Sequence, residues 1–235
     1  MNENNKTIAF VSDIHGNYSA LKAVLEDIEK KGCKTIFSLG DVAGYYSMVN
    51  ECINLLKEKN IPNIMGNHDD YIISGTGCPR SNSANDCLEY QRRVLLPEHI
   101  DWLKKSPLGL VYRNISIVHA GWNDPLDEYM LDFPENYFDD MKEKWFLSGH
   151  SHVQYIRQLN EKTYCNPGSV GQPRDGDPRA AYAILKDDAI YLERVEYDID
   201  EISFHMKQQG FDEYYYKNLY TGTAIGGKVF KNKYE

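Results

Sequence analysis

Five short clusters in this 235-residue sequence carry the side chains best suited to chemistry: Asp13-Ile14-His15, Gly40-Asp41, Gly66-Asn67-His68-Asp69, His119 and Gly149-His150-Ser151-His152. They hold five of the seven histidines and leave only His99 and His205 outside. Neutral imidazole and carboxylate groups suit manganese, iron, zinc, cobalt or nickel, and the lack of cysteine among them argues against a purely structural zinc site. Taken singly, each cluster has an ordinary explanation. Asp-x-His and Gly-Asp occur in turns, Gly-Asn-His-Asp suits a loop or a helix start, and a lone histidine is usually a hydrogen-bonded, half-buried imidazole. Gly-His-Ser-His is harder to dismiss, because two imidazoles two residues apart in a loop are unusual without a ligand. The clusters gain weight together, because each follows directly on an apolar run that reads as a strand.

Those runs belong to an alternating chain. Residues 7–12 read as a buried strand, after which Leu21, Val24, Leu25 and Ile28 fall on one helical stripe. Residues 35–39 read as a second strand, and a helix follows over 47–59 with Val49, Cys52, Ile53 and Leu56 inward. Residues 61–65 read as a third strand, with Pro62 tolerable near its start. Such alternation predicts right-handed crossovers and a parallel sheet covered on both faces. Ligands collect at the carboxyl ends of strands in such sheets, so separate segments can deliver these groups to one spot. Residues 70–83, rich in Gly, Ser and Asn, read as a loop near the site. Helices are predicted over 84–95 and 97–105, the second opened by Pro97, and strands over 108–112 and 114–119. An acidic, aromatic excursion then spans 124–137. Strands over 144–148, 153–158, 162–165, 180–185 and 189–196 follow, and the pattern turns helical from Asp198 through Ile202, Met206 and residues 211–220. With no repeat and no low-complexity linker, the simplest parse is one catalytic domain over 1–197 and a helical appendage over 198–235 packed on it.

The clusters, in this order, resemble the calcineurin-like metallophosphoesterase superfamily over about residues 7 to 196. Asn166-Pro167-Gly168-Ser169, with Pro173-Arg174, resembles its small bacterial and archaeal phosphodiesterase branch. The second cluster continues Val42-Ala43-Gly44, without the Arg that follows in the Ser/Thr protein phosphatases, which disfavours a phosphoprotein substrate. The resemblance implies an α/β fold, a four-layer α-β-β-α sandwich of two mixed sheets flanked by helices. It also implies two divalent ions, manganese favoured. Asp13, His15, Asp41 and His152 would hold one, and Asp41, Asn67, His119 and His150 the other, with Asp41 and a water or hydroxide shared. Two dications against two carboxylates leave a positive site, suited to a phosphate and a bound hydroxide. The implied reaction is hydrolysis of a small phosphodiester or nucleotide-type substrate by that bridging hydroxide. A phosphomonoesterase or a dinucleoside polyphosphate hydrolase is the nearest alternative. A non-catalytic scaffold of the same fold is disfavoured, since every motif ligand is present.

His68 would stand beside the substrate, outside the metal shells, and give a proton or a hydrogen bond to the leaving oxygen. Asp69 would orient His68 or a metal-bound histidine, unless it is an exposed helix-start carboxylate. Substrate contacts are expected from Asn67, from Asn17 if it is not a helix cap, and from Arg174 if it is not in a surface salt bridge to Asp175 or Asp177. Tyr45, Tyr46 and Tyr71 are expected to be packing aromatics, with a nucleobase pocket as the alternative. Residues 214–216 are expected to pack on the domain or a second subunit, and His99 and His205 to be plain surface or interface residues.

The bulk composition bounds the partners. A formal net charge of −9 argues against tight, nonspecific binding to long nucleic acid, which draws its affinity from Lys and Arg. No stretch approaches the roughly 20 apolar residues of a membrane span, and the N-terminal apolar run is too short for a signal-peptide core. The five cysteines are irregularly spaced; Cys78 and Cys87 could pair, but no disulfide framework or CxxC emerges. The expectation is a cytoplasmic protein with reduced thiols, acting on a small phosphorylated substrate, with a homo-oligomer allowed.

Overall fold

In β1 (Ile8–Val11) every side chain is buried, and alternate residues serve opposite faces. Ala9 and Val11 join a cluster with Leu21, Val24, Ile53 and Leu56, whereas Ile8 and Phe10 join another with Leu39, Ile117 and Leu147. A strand that is apolar on both faces belongs in the middle of a layered structure. The computed structural model, which describes residues 7–234, places it there; the polar residues 1–6 lie outside that range.

The first sheet runs β2-β1-β8-β9. β2 (Thr35–Ser38) lies parallel to β1 after the crossover helix α1 (Tyr18–Lys30), with Ile8 opposite Thr35. On its other side β1 meets β8 (Ala180–Lys186) antiparallel, and β9 (Ala189–Val195) continues the sheet, so it is mixed rather than all-parallel. The predicted third strand at 61–65 is reduced to a single bridge between Ser38 and Asn63. Pro62 supplies its carbonyl to Ser38 N but has no N–H with which to extend a ladder.

The second sheet runs β3-β4-β5-β7-β6. Its members are β3 (Gly109–Tyr112), β4 (Ile115–Val118), β5 (Trp145–Leu147), β6 (Gln154–Leu159) and β7 (Lys162–Pro167). β4, β5 and β7 are parallel and the two outer strands antiparallel. Ile115, Ile117, Trp145, Leu147 and Cys165 pack on Phe10 and Phe37 of the first sheet and on Leu39 just past β2. On its other face Phe146, Tyr155 and Tyr164 are covered by Met130 and Phe133 from the acidic, aromatic excursion and by Phe138 just after it. Phe138 stacks on Phe146 with centroids 4.0 Å apart. The architecture is an α/β sandwich of two mixed sheets flanked by helices.

The helices α2 (Val49–Glu58), α4 (Asn82–Val94) and α5 (Pro97–Leu103) follow the predictions closely. The 70–83 loop does not: α3 (Asn67–Ser74) begins inside the third cluster and stops at Gly75, whose φ of 75° is the left-handed ending that glycine supplies. Only the stretch to Ser81, which caps α4 through Ala84 N, is irregular. After α6 (Ile199–Gln208), which buries Ile202 and Met206, the predicted helix over 211–220 becomes two short 3-10 segments. Tyr215 and Tyr216 pack on the helix-side core, and the Tyr215 hydroxyl donates to Asp86. All five cysteines are free and buried, so Cys78 and Cys87 do not pair. His99 is not a surface residue. It is 1% exposed, with its ring nitrogens 2.7 Å from Asn50 Oδ1 and 2.9 Å from Asn54 Oδ1. His205 bonds Ser47 Oγ at 2.7 Å.

Candidate metal centre

The loops after the parallel strands are stitched together before any side chain is considered. Asp13 N donates to Gly40 O and His15 N to Asp41 O, which joins the loops after β1 and β2. Gly149 N donates to His119 O, joining the loops after β4 and β5 in the other sheet. His150 N reaches across to the Asp13 carboxylate, 3.1 Å from Oδ2, and so connects the two sheets.

This stitching demands unusual backbone. Asp13, His15, Asp41, His150 and His152 all have φ between 52° and 63°. Non-glycine residues in that left-handed region typically cost about 1–3 kcal/mol each and concentrate at functional sites. Two glycines are fixed by close approach: a Cβ on Gly66 would run into the Asp41 carboxylate, and one on Gly149 into Ser12 and Asp13. Asp41 Oδ1 accepts from His68 N at 2.8 Å. Asp69 is fully buried, not an exposed helix-start carboxylate. It accepts from Asp41 N, Ala43 N and Gly66 N at 2.9–3.2 Å, so it braces the second cluster's backbone rather than a histidine ring.

Three imidazoles are held in one tautomer. The Nδ1 atoms of His15, His119 and His152 lie 2.7–2.8 Å from the carbonyls of Ala43, Leu39 and Gln172. Each Nδ1 therefore carries a proton, and each ring turns its Nε2 inward; in His15 and His152 that Nε2 is a lone pair. His15 Nε2 and His152 Nε2 are 3.1 Å apart. Asp13 Oδ1 lies 3.3 Å from the latter, and Asp41 Oδ2 lies 3.6 Å from His15 Nε2. His119 Nε2 faces Asp41 Oδ2 at 3.4 Å and Asn67 Oδ1 at 3.1 Å, and His150 Nδ1 is also 3.1 Å from Asn67 Oδ1. Donor atoms of Asp13, His15 and His152, and again of Asp13, Asp41 and His119, lie within 4.8 Å of one another.

The electrostatics agree with a cation-binding cluster. Burial pushes His15 well down against the opposing pull of the Asp41 carboxylate, and burial with Arg174 lowers His152, so neither ring supplies a proton between the two Nε2 atoms. Burial alone would raise Asp41, but the imidazoles of His119, His68 and His15 hold it well below the usual carboxylate range. Burial would lower His119, yet the Asp41 carboxylate beside it pushes it up to about 9. A cation on the same nitrogen would displace that proton. Lone pairs and carboxylate oxygens thus face one another with few protons to share, and divalent cations fit that donor set. All seven metal candidates, Asp13, His15, Asp41, Asn67, His119, His150 and His152, meet in this one cluster.

Beside it opens a cavity of about 670 Å³ lined by Asp41, Asn67, His68, His150 and His152 on the cluster side. His68 is buried, its Nδ1 has no partner, and burial and the charge of Arg174 lower it to about 4. Its ring sits 4.9 Å from that of His15 and 5.0 Å from that of Tyr45. Arg174 also lines the cavity and makes no surface salt bridge; Arg179 pairs with Asp177 and Arg194 with Asp175 instead. Its Nε and Nη2 are held by Gln172 Oε1 at 2.9 and 2.6 Å, and its guanidinium lies over the Tyr45 ring. Asn17 lies elsewhere. It caps α1 by accepting from Ala20 N and donates to Gly171 O, so its amide is engaged within the fold. Tyr46 is buried under Gln172 and Asn218, and Tyr71 packs against His68.

Several lining residues escaped the sequence reading: Arg80, Tyr129, Gln172, Lys228 and Phe230. Gln172 sits between two recognisable motifs and offered a faint signal. The others lie in irregular segments where no spacing reveals which way a side chain faces.

Residues 7–189 match the calcineurin-like phosphoesterase superfamily domain. An uncharacterized protein, MJ0912 of Methanocaldococcus jannaschii, is 35% identical over 92% of this chain and 98% of its own. Phosphodiesterase YfcE of Escherichia coli strain K12 is 26% identical over 78% of this chain and 89% of its own. A crystal structure of a metallophosphoesterase from Sphaerobacter thermophilus aligns with a TM-score of 0.80 at 30% identity, covering 93% of this chain and all of that one.

Proposed function

The chain belongs to the calcineurin-like phosphoesterase superfamily, on its small phosphodiesterase branch, and from that premise we propose that it hydrolyses small, nucleotide-type phosphodiesters with two divalent metal ions. One observation carries the metal dependence. His15 and His152 spend their Nδ1 protons on backbone carbonyls and leave two lone pairs 3.1 Å apart beside two carboxylates. Asp13, His15, Asp41 and His152 would hold one ion and Asp41, Asn67, His119 and His150 the other, and together the ions would polarise the phosphoryl oxygens and acidify an attacking water.

The chain's own residues supply the rest. Arg174 is buried, lines the cavity and meets no carboxylate among the described residues, so an anionic group is the partner its charge lacks. Gln172 fixes the guanidinium plane, which orients the phosphate that Arg174 receives. His68 lines the same wall and, as a neutral ring near neutral pH, is placed to give a hydrogen bond to the departing oxygen. Asp69 acts as a positioning residue through the backbone that carries Asp41.

The test is turnover of phosphomonoesters, phosphodiesters and pyrophosphate esters by chelated protein to which manganese, iron, zinc, cobalt or nickel is returned. Metal-dependent turnover with diesters ahead of monoesters is the expected result. Absence of turnover with every ester and every metal would overturn the reading.

A further inference from the structure

The cavity extends well past the metal cluster, and its charge there opposes that of the protein. The chain carries 35 acidic and 26 basic residues, yet among the described residues Asp41 is the only carboxylate in the lining, against three cations, Arg80, Arg174 and Lys228. These alternate with aromatic rings in two rows, one starting at His68 and the other at His150. Along one wall the rings of His68 and Tyr45 are 5.0 Å apart, and the Arg174 guanidinium lies 5.3 Å from the Tyr45 ring and 5.8 Å from that of Phe230. The Lys228 ammonium follows, 4.6 Å from the same Phe230 ring. Along the other, the Tyr129 ring is 4.3 Å from His150, and Arg80 lies 5.5 Å from Tyr129 while pairing with Asp127.

The outer part of the first row comes from the C-terminal segment, beyond the 7–189 span of the family match. That segment is seated by polar contacts rather than draped over the opening. Phe230 N donates to Arg174 O at 2.8 Å, and Gly176 N to Gly222 O at 2.9 Å. Asn218 Nδ2 donates to Tyr46 OH, which also accepts from Gln172 Nε2, the side chain that holds Arg174. Among the described residues Lys228 has no carboxylate partner, and it is exposed at the cavity rim. Its charge is therefore free for a ligand.

We propose that the C-terminal segment builds a second anion subsite, in which Lys228, over the Phe230 ring, receives a phosphate other than the scissile one. The preferred substrates are then nucleotides that carry two separated phosphate groups, one at the metal cluster beside Arg174 and one at Lys228, with the nucleoside between aromatic walls. Phosphate gains from a cation in a cleft of matching field, and a nucleoside gains from flat rings. This substrate class rests on the phosphodiesterase reading above.

Two chromogenic diesters separate the ideas: thymidine 5′-(p-nitrophenyl phosphate) and its 3′-phosphorylated counterpart. Wild type should show a kcat/KM at least about tenfold higher for the 3′-phosphorylated ester. Lys228→Met should bring that ratio close to one through KM, while Lys228→Arg retains most of it. A wild-type ratio near one, or a ratio that Lys228→Met leaves intact, would overturn the subsite. If neither ester turns over with any metal, the phosphodiesterase reading is what fails. The subsite is then read by calorimetry on thymidine 3′,5′-bisphosphate against thymidine 5′-monophosphate: tighter binding of the bisphosphate, lost in Lys228→Met, upholds it, and equal binding in wild type overturns it.

Discussion

His68 and Asp69 are neighbours in sequence with different tasks, and two substitutions separate them. The His68 side chain lines the cavity and, unlike its backbone N–H, makes no hydrogen bond to a metal-ligand candidate, so His68→Ala should lower kcat by about 10²–10⁴-fold while metal content stays at the wild-type level. Unchanged turnover, or loss of metal, would contradict that placement. Asp69 accepts three buried N–H groups, and Asp69→Asn turns one of its oxygens into a donor. At least one N–H then loses its partner, at about 1–3 kcal/mol. The variant should melt several degrees lower and bind metal more weakly, as thermal melts and metal titration would reveal. Equal melting and equal metal uptake would refute the bracing role. The residue types and order in the clusters made the position of His68 beside the metal candidates legible from sequence. Asp69 was not, because its role depends on which backbone amides lie within 3 Å of it, and those belong to a loop 26 and 28 residues away.

The regular elements were legible where the periodicity was strong. The stripe Leu21, Val24, Leu25 and Ile28 is buried in α1, and Val49, Cys52, Ile53 and Leu56 are buried in α2. Short apolar runs misled where pairing decided the outcome: residues 61–65 have a strand's composition, but Pro62 limits them to one bridge. The excursion over Asp124 to Tyr137 has no periodicity, and its order comes from a polar hub. Glu128 accepts from Tyr137 OH at 2.6 Å and from Asn123 N and Nδ2 at 3.0 and 3.1 Å. Burial tends to raise the Glu128 carboxyl, but the Tyr137 hydroxyl and the Asn123 amides hold it below its ordinary 4.5. Folding thus favours the ionised form, and this stabilisation is present above about 4.5 and is lost as pH falls through the depressed folded value. Glu128→Gln should therefore lower Tm by about 2–4 °C near neutral pH, with the gap narrowing in the acid range. A gap independent of pH, measured by melts across the range, would contradict the hub.

At the scale of the whole molecule, two sheets bring the carboxyl ends of β1 and β2 against those of β4 and β5, and the cluster forms where they meet. That convergence was foreseeable from five clusters that each follow an apolar run. The cavity walls were not, since Arg80, Tyr129, Lys228 and Phe230 come from segments whose facing is set by tertiary contacts alone. Among the described residues no helix is long and apolar enough to cross a membrane. The −9 charge argues against tight nonspecific binding of a long polyanion, while Arg80, Arg174 and Lys228 place positive charge at the cavity itself. If one Asp–His–Asn cluster holds two divalent ions, the metal stoichiometry of chelated protein titrated with manganese will report it, for wild type beside His15→Ala and His119→Ala. Two equivalents in wild type and one in each variant is the predicted result. A wild-type protein that takes up no manganese, or variants that bind as much as wild type, would contradict it.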